Sequence, residues 1–178
     1  LNVAQMLDKS SYSISLGNTH QDGIISSTGM DRYNVKVSAD TKLTNNWSSG
    51  FTANYITTSI DKAVTSGNGL LRTVYAAPPS YDLAGIPSHV DGNQYTQNSF
   101  RGSFDNAYWA MDNNKFTEDT NRFFGNVYAS YQTDFGTTNH KLNAKYMVGV
   151  DAYTTHYVDS YGYGSNCLLY TSDAADDL

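Results

Sequence analysis

The chain has 178 residues, with 17 acidic against 11 basic groups, 15 Tyr, 14 Gly and only 3 Pro. Its net charge of −6 argues against a nucleic-acid surface, and no apolar run approaches the roughly 20 residues of a membrane helix. Low charge with much Tyr, Asn, Ser and Thr argues against a helical bundle and for a β protein with one polar face. Part of the charge is local: Asp173, Asp176 and Asp177 lie at the end, so residues 1–166 carry 14 acidic and 11 basic groups, a net of −3. No initiating Met and no leader stand at the start, which reads as a missing N-terminus. The one cysteine, Cys167, has no internal disulfide partner.

In chain order, residues 1–10 carry little signal. Ser11–His20 alternates, with Tyr12, Ile14 and Leu16 on one face and Ser11, Ser13, Ser15 and Gly17 on the other, which predicts a strand. Gln21–Asp31 is rich in Gly, Ser and Asp and reads as a connection. Arg32–Thr57 predicts two strands turning at Thr44, Asn45 and Asn46. Tyr33, Val35, Val37, Ala39, Thr41 and Leu43 share a face in the first strand, and Trp47, Phe51, Ala53 and Tyr55 in the second. Thr58–Asn121 holds all three prolines, Pro78, Pro79 and Pro87, and reads as one long loop. Alternation resumes over Arg122–Phe135, turns at Gly136–His140, and runs on through Lys141–Tyr153.

Connections that alternate longer, short, long, short put both tight turns on one side of an up-and-down sheet and both longer loops on the other. That asymmetry is the habit of outer-membrane barrels. Tyr12, Trp47 and Tyr131 fall toward the turn side of the apolar face, and Tyr33, Tyr55 and Phe123 toward the loop side, as two aromatic girdles would. Arg32, Lys36, Asp40, Lys145 and Asp151 occupy the opposite face, where Arg or Lys avoids the roughly 2–4 kcal/mol cost of facing lipid at the midplane. The expected fold is all-β, with antiparallel up-and-down strands forming an incomplete piece of a transmembrane β-barrel with one long extracellular loop. A soluble β-sandwich with an ordinary core is the other fold that alternation allows.

The segments Ser11–Ile25, Thr28–Tyr55, Ala76–Gly85 (AAPPSYDLAG), Asp105–Trp109 (DNAYW), Thr120–Gln132 and Lys145–Tyr153 occur in an order that resembles SusC/RagA-like TonB-dependent outer-membrane transporters. The resemblance covers roughly residues 8–160. It implies glycan or peptide import energised by the TonB complex, with a SusD-like surface lipoprotein as partner and outer-membrane lipids around the wall. Nothing here resembles that family's plug domain, and five strands cannot close a barrel around a plug. Residues 1–166 are then a piece of a longer barrel in the outer membrane. The last stretch, Cys167–Leu178 (CLLYTSDAADDL), resembles the translated read-through of a transposon-based sequencing adapter, and is expected to be foreign to the native protein.

No catalytic constellation emerges, so an enzyme is not expected, and no cofactor is implied. His20, His89, His140 and His156 are scattered, without metal-ligand spacing. Glu118 and Asp119 suit a solvated loop, and Gly67–Gly69 lacks the strand and helix of a phosphate loop. The candidate ligand-binding residues are Asp105, Asn106, Tyr108 and Trp109. Tyr108 and Trp109 offer rings to stack on sugar or peptide groups, and Asp105 and Asn106 offer hydrogen bonds. The competing role for Trp109 is to anchor the long loop. The other class of protein compatible with these features is a secreted β-sandwich adhesin or glycan-binding module.

Overall fold

A computed structural model describes residues 1–64, 70–136 and 140–166. The chain is all-β. Its main sheet has six strands in the order β1-β2-β3-β4-β7-β8, mostly antiparallel and open, with β1 and β8 at the edges. β1 is Asn2–Met6, β2 Ser10–Asp22, β3 Gly29–Lys42, β4 Trp47–Lys62, β7 Lys115–Phe135 and β8 His140–Ser160. Between β4 and β7 lie α1 (Leu70–Ala76), a hairpin of β5 (His89–Val90) and β6 (Asn93–Gln97), and α2 (Ala107–Asn113).

Three expectations are corrected. Residues 1–10 contain a strand: β1 pairs antiparallel with β2, from Asn2 opposite Ser15 to Met6 opposite Ser11. It left no trace in the sequence because an edge strand exposed on both faces has no apolar side to betray it. The long loop is shorter than 58–121, since β4 runs on to Lys62 and β7 starts at Lys115. Beyond Tyr55 and before Phe123 the apolar residues change sides, with Ile56, Ile60 and Phe116 at positions opposite the apolar row, so period two breaks there although the ladder continues. β8 likewise runs to Ser160, past Tyr153, where Tyr153 and Tyr157 fall at positions opposite the Val150 and Ala152 row. The Thr44–Asn46 turn forms as expected, with Thr44 Oγ1 accepting from the amides of Asn46 (3.2 Å) and Trp47 (3.0 Å). In the second tight turn His140 already belongs to β8, and residues 137–139 lie outside the described residues.

The chain divides into two units whose boundaries fall within the long strands. The first comprises Leu1–His20, Asp31–Ser59 and Asp119–His156. Among its described residues only Gly50 is buried. Its apolar face is bare: Tyr12, Ile14, Leu16, Tyr33, Val35, Trp47, Phe51, Tyr55, Phe123, Val127, Leu142, Tyr146, Val148 and Val150 are all between 39% and 74% exposed. Trp47 and Tyr131 meet on that face with centroids 5.0 Å apart. The opposite face carries hydrogen-bonded polar groups: Ser13 Oγ to Ser38 Oγ at 2.8 Å, Tyr128 OH to Asp40 at 2.6 Å, and Arg122 gripping both Asp151 oxygens.

β4 and β7 are the one neighbouring pair in the main sheet joined by more than six residues. Side-chain bonds add to the backbone ladder between them. Asn46 Nδ2 donates to the Gln132 carbonyl (2.7 Å), Ser49 Oγ to the Tyr128 carbonyl (2.8 Å), Tyr55 OH to Asn121 (3.1 Å) and Ser59 Oγ to Asp119 (2.6 Å).

β7 and β8 have 21 residues each, about 70 Å of strand at roughly 3.3 Å per residue. From Trp47 to Tyr55, and from Tyr131 to Phe123, the aromatic rows lie eight residues apart, about 26 Å along each strand at roughly 3.3 Å per residue.

Candidate functional site

The second unit, Gln21–Met30, Ile60–Glu118 and the chain from Tyr157, holds what core the protein has. All the buried hydrophobic residues described lie in it: Phe104, Ala107, Trp109 and Ala110. α2 is short, so its seven residues depend on capping and packing more than on propensity. Asn106 is its N-cap, with Oδ1 accepting from the Tyr108 (2.9 Å) and Trp109 (3.2 Å) amides. The same side chain donates to the Asn98 carbonyl at 2.9 Å, and its backbone amide donates to Gln97 Oε1 at 2.6 Å. Trp109 is fully enclosed, and its indole N–H donates to the Gln94 carbonyl at 2.8 Å.

Asp105, 2% exposed, is a buried carboxylate with no cation beside it among its hydrogen-bond partners. Three donors compensate it: Gln97 Nε2 (2.7 Å), Ser165 Oγ (2.6 Å) and the Asn166 amide (2.6 Å). The chain can reach these positions because Gly164 sits at φ +103°, where an added Cβ would run into the Tyr95 carbonyl. Around this knot, Phe100 packs on Phe104 and Tyr81, and Tyr95 meets Tyr163 edge-on at 5.7 Å.

The four candidate residues therefore separate. Asp105, Asn106 and Trp109 are brought together, but inside the loop unit, where their polar atoms are satisfied by the chain itself. Trp109 presents no free ring face in this conformation. Tyr108, 43% exposed, is the one whose ring is open to solvent. The partners of Asp105, namely Gln97, Ser165 and Asn166, escaped notice in the sequence. The only hint was the GYGSN run after β8, where Gly-rich chain follows a strand without resuming alternation.

A cleft of about 410 Å³ lies in the same unit. Asp61, Lys62, Asp112 and Lys115 line it together with Met111 and Phe116. Lys62 bonds to Glu118 at 2.5 Å and lies over the Tyr157 ring, and that hydrogen bond holds its ammonium above the usual lysine range. The cleft is mixed in polarity and carries charges of both signs, a lining suited to binding a polar ligand. Among the described residues no three His, Cys, Asp or Glu converge as metal ligands. Gly67–Gly69 and Cys167–Leu178 lie outside the described residues.

The architecture is thus an open, one-sided antiparallel sheet interrupted by a folded insertion. No family model matches the chain, and no curated protein matches it.

Proposed function

We propose that this chain is wall and loop of an outer-membrane active nutrient importer, a piece of a TonB-dependent barrel that takes up glycan or peptide. The observation that carries the reading is the bare apolar face of the six-stranded sheet. A sandwich adhesin would bury those Val, Leu and Tyr side chains against a second sheet, and the other sheet described is only the β5–β6 hairpin. A soluble protein rarely leaves so large an apolar patch uncovered. Lipid is the partner such a face fits, with the polar face turned to a hydrated lumen. Among the described residues no helix is long and apolar enough to cross a membrane. By the resemblance, the TonB complex supplies energy and a SusD-like lipoprotein covers the outer mouth. The insertion between β4 and β7 would stand outside the cell, with Tyr108 and the mixed cleft meeting substrate. No covalent chemistry is assigned.

The chromosomal reading frame tests this. It is expected to continue from residues 1–166 into further alternating segments of about ten residues, to carry a plug upstream, and to diverge from Cys167–Leu178. A start and a stop codon closely bounding residues 1–166 would overturn the importer.

A further inference from the structure

We propose that the pairing of β4 with β7 is set by a side-chain clasp centred on Tyr128 and Gly50, and that residues 63–114 are in consequence an exchangeable module. Every other neighbouring pair in the main sheet is joined by a short connection, and a tight connection fixes register. β4 and β7 are separated by the whole insertion, so something else must select their register.

The competing register is a slip of two residues, since a slip of one would turn the apolar face of one strand over. The clasp opposes that slip. Tyr128 lies across Gly50, where an added Cβ would stand only 2.7 Å from Tyr128 Cε1 and 2.9 Å from the Ala39 carbonyl oxygen. Shifted by two, the ring would meet Ser48 or Thr52, each of which carries that Cβ. The hydroxyl of Tyr128 donates to Asp40 on β3 at 2.6 Å, and Lys145 on β8 stands 4.2 Å from the ring centroid. One side chain on β7 thus engages β3, β4 and β8 together; Lys145 would travel with β7, but a slip costs the contacts with Gly50 and Asp40 as well as the row of β4–β7 side-chain bonds. None of these groups belongs to the insertion. The clasp concerns strand pairing alone and does not depend on the face's being lipid-covered.

The test uses disulfide trapping in the full chain, with Cys167→Ser as background and the chain refolded in detergent micelles. Ser59→Cys with Asp119→Cys reports the native register, since these side chains already bond at 2.6 Å. Ser59→Cys with Asn121→Cys reports the slipped one. The native pair is expected to form in preference by about tenfold or more. That ratio should hold when residues 65–112 are replaced by a flexible Gly/Ser linker of the same length, too long to fix register itself. It should fall toward one in Gly50→Val, which blocks the ring, and in Tyr128→Ala, which removes the clasp without adding bulk. Loss of the preference on replacing the insertion alone, or its survival in both clasp variants, would overturn the proposal.

Discussion

A chain carrying Val127→Arg and Val148→Arg together is expected to lose its ability to fold into lipid vesicles. Val127 stands midway between Tyr131 and Phe123, and is 52% exposed; Val148 on the next strand is 49% exposed. In water, exposed valines tolerate Arg with little effect or with gained solubility. At a bilayer midplane each Arg costs roughly 2–4 kcal/mol, and the pair about 4–8 kcal/mol if the costs add. That is a loss of about three orders of magnitude or more in the folded population. The matched pair on the polar face, Asn126→Arg with Asn143→Arg, should fold nearly as the parent does. Strand content measured by circular dichroism after dilution from urea into vesicles reads both. Equal behaviour of the two pairs would remove the distinction between the faces on which the wall rests.

Trp109→Ala is expected to unfold the insertion. The side chain is wholly enclosed and its removal leaves the Gln94 carbonyl without its indole donor. Large-to-small changes at such sites cost about 3–5 kcal/mol. Local opening, and with it tryptic cleavage at Arg72 and Arg101, should then rise by about two to three orders of magnitude. Asn106→Ala removes the α2 cap, a smaller loss of about 0.5–2 kcal/mol. Tyr108→Ala should leave the cleavage pattern unchanged, because its ring is open to solvent. If Trp109→Ala were cut no faster than the parent, the indole would not be the anchor of this unit, and a direct role in ligand capture would regain the ground.

How much of this was legible beforehand follows from which strand faces differ in polarity. Strands were readable wherever one face was apolar and the other polar, as in Arg32–Thr57 and Lys141–Tyr153. They were invisible at Asn2–Met6, which is exposed on both faces, and at Lys115–Asn121 and His156–Ser160, where Phe116 and Tyr157 fall opposite the apolar row, because alternation records a difference between faces and not the ladder itself. The insertion was legible only as a segment. Its order comes from contacts far apart in sequence, such as Asp105 with Ser165 and Asn166, and Gln97 with Gly164. The DNAYW run drew notice for its chemistry, yet Asn106 and Trp109 serve packing, an outcome that depends on which side chains end up enclosed. The clasp of Tyr128 on Gly50 likewise needs a register that no local pattern supplies.

The most direct measurement uses the chain's own two tryptophans. Trp109 is enclosed within the loop unit, while Trp47 is 46% exposed on the apolar face of the sheet. In vesicles made with brominated acyl chains, the parent's emission should fall by the share that Trp47 carries, most strongly with bromines near the headgroups, and Trp47→Phe should be nearly unquenched. Parent emission indifferent to bromine at every depth would mean that this face does not touch lipid, and would contradict the account.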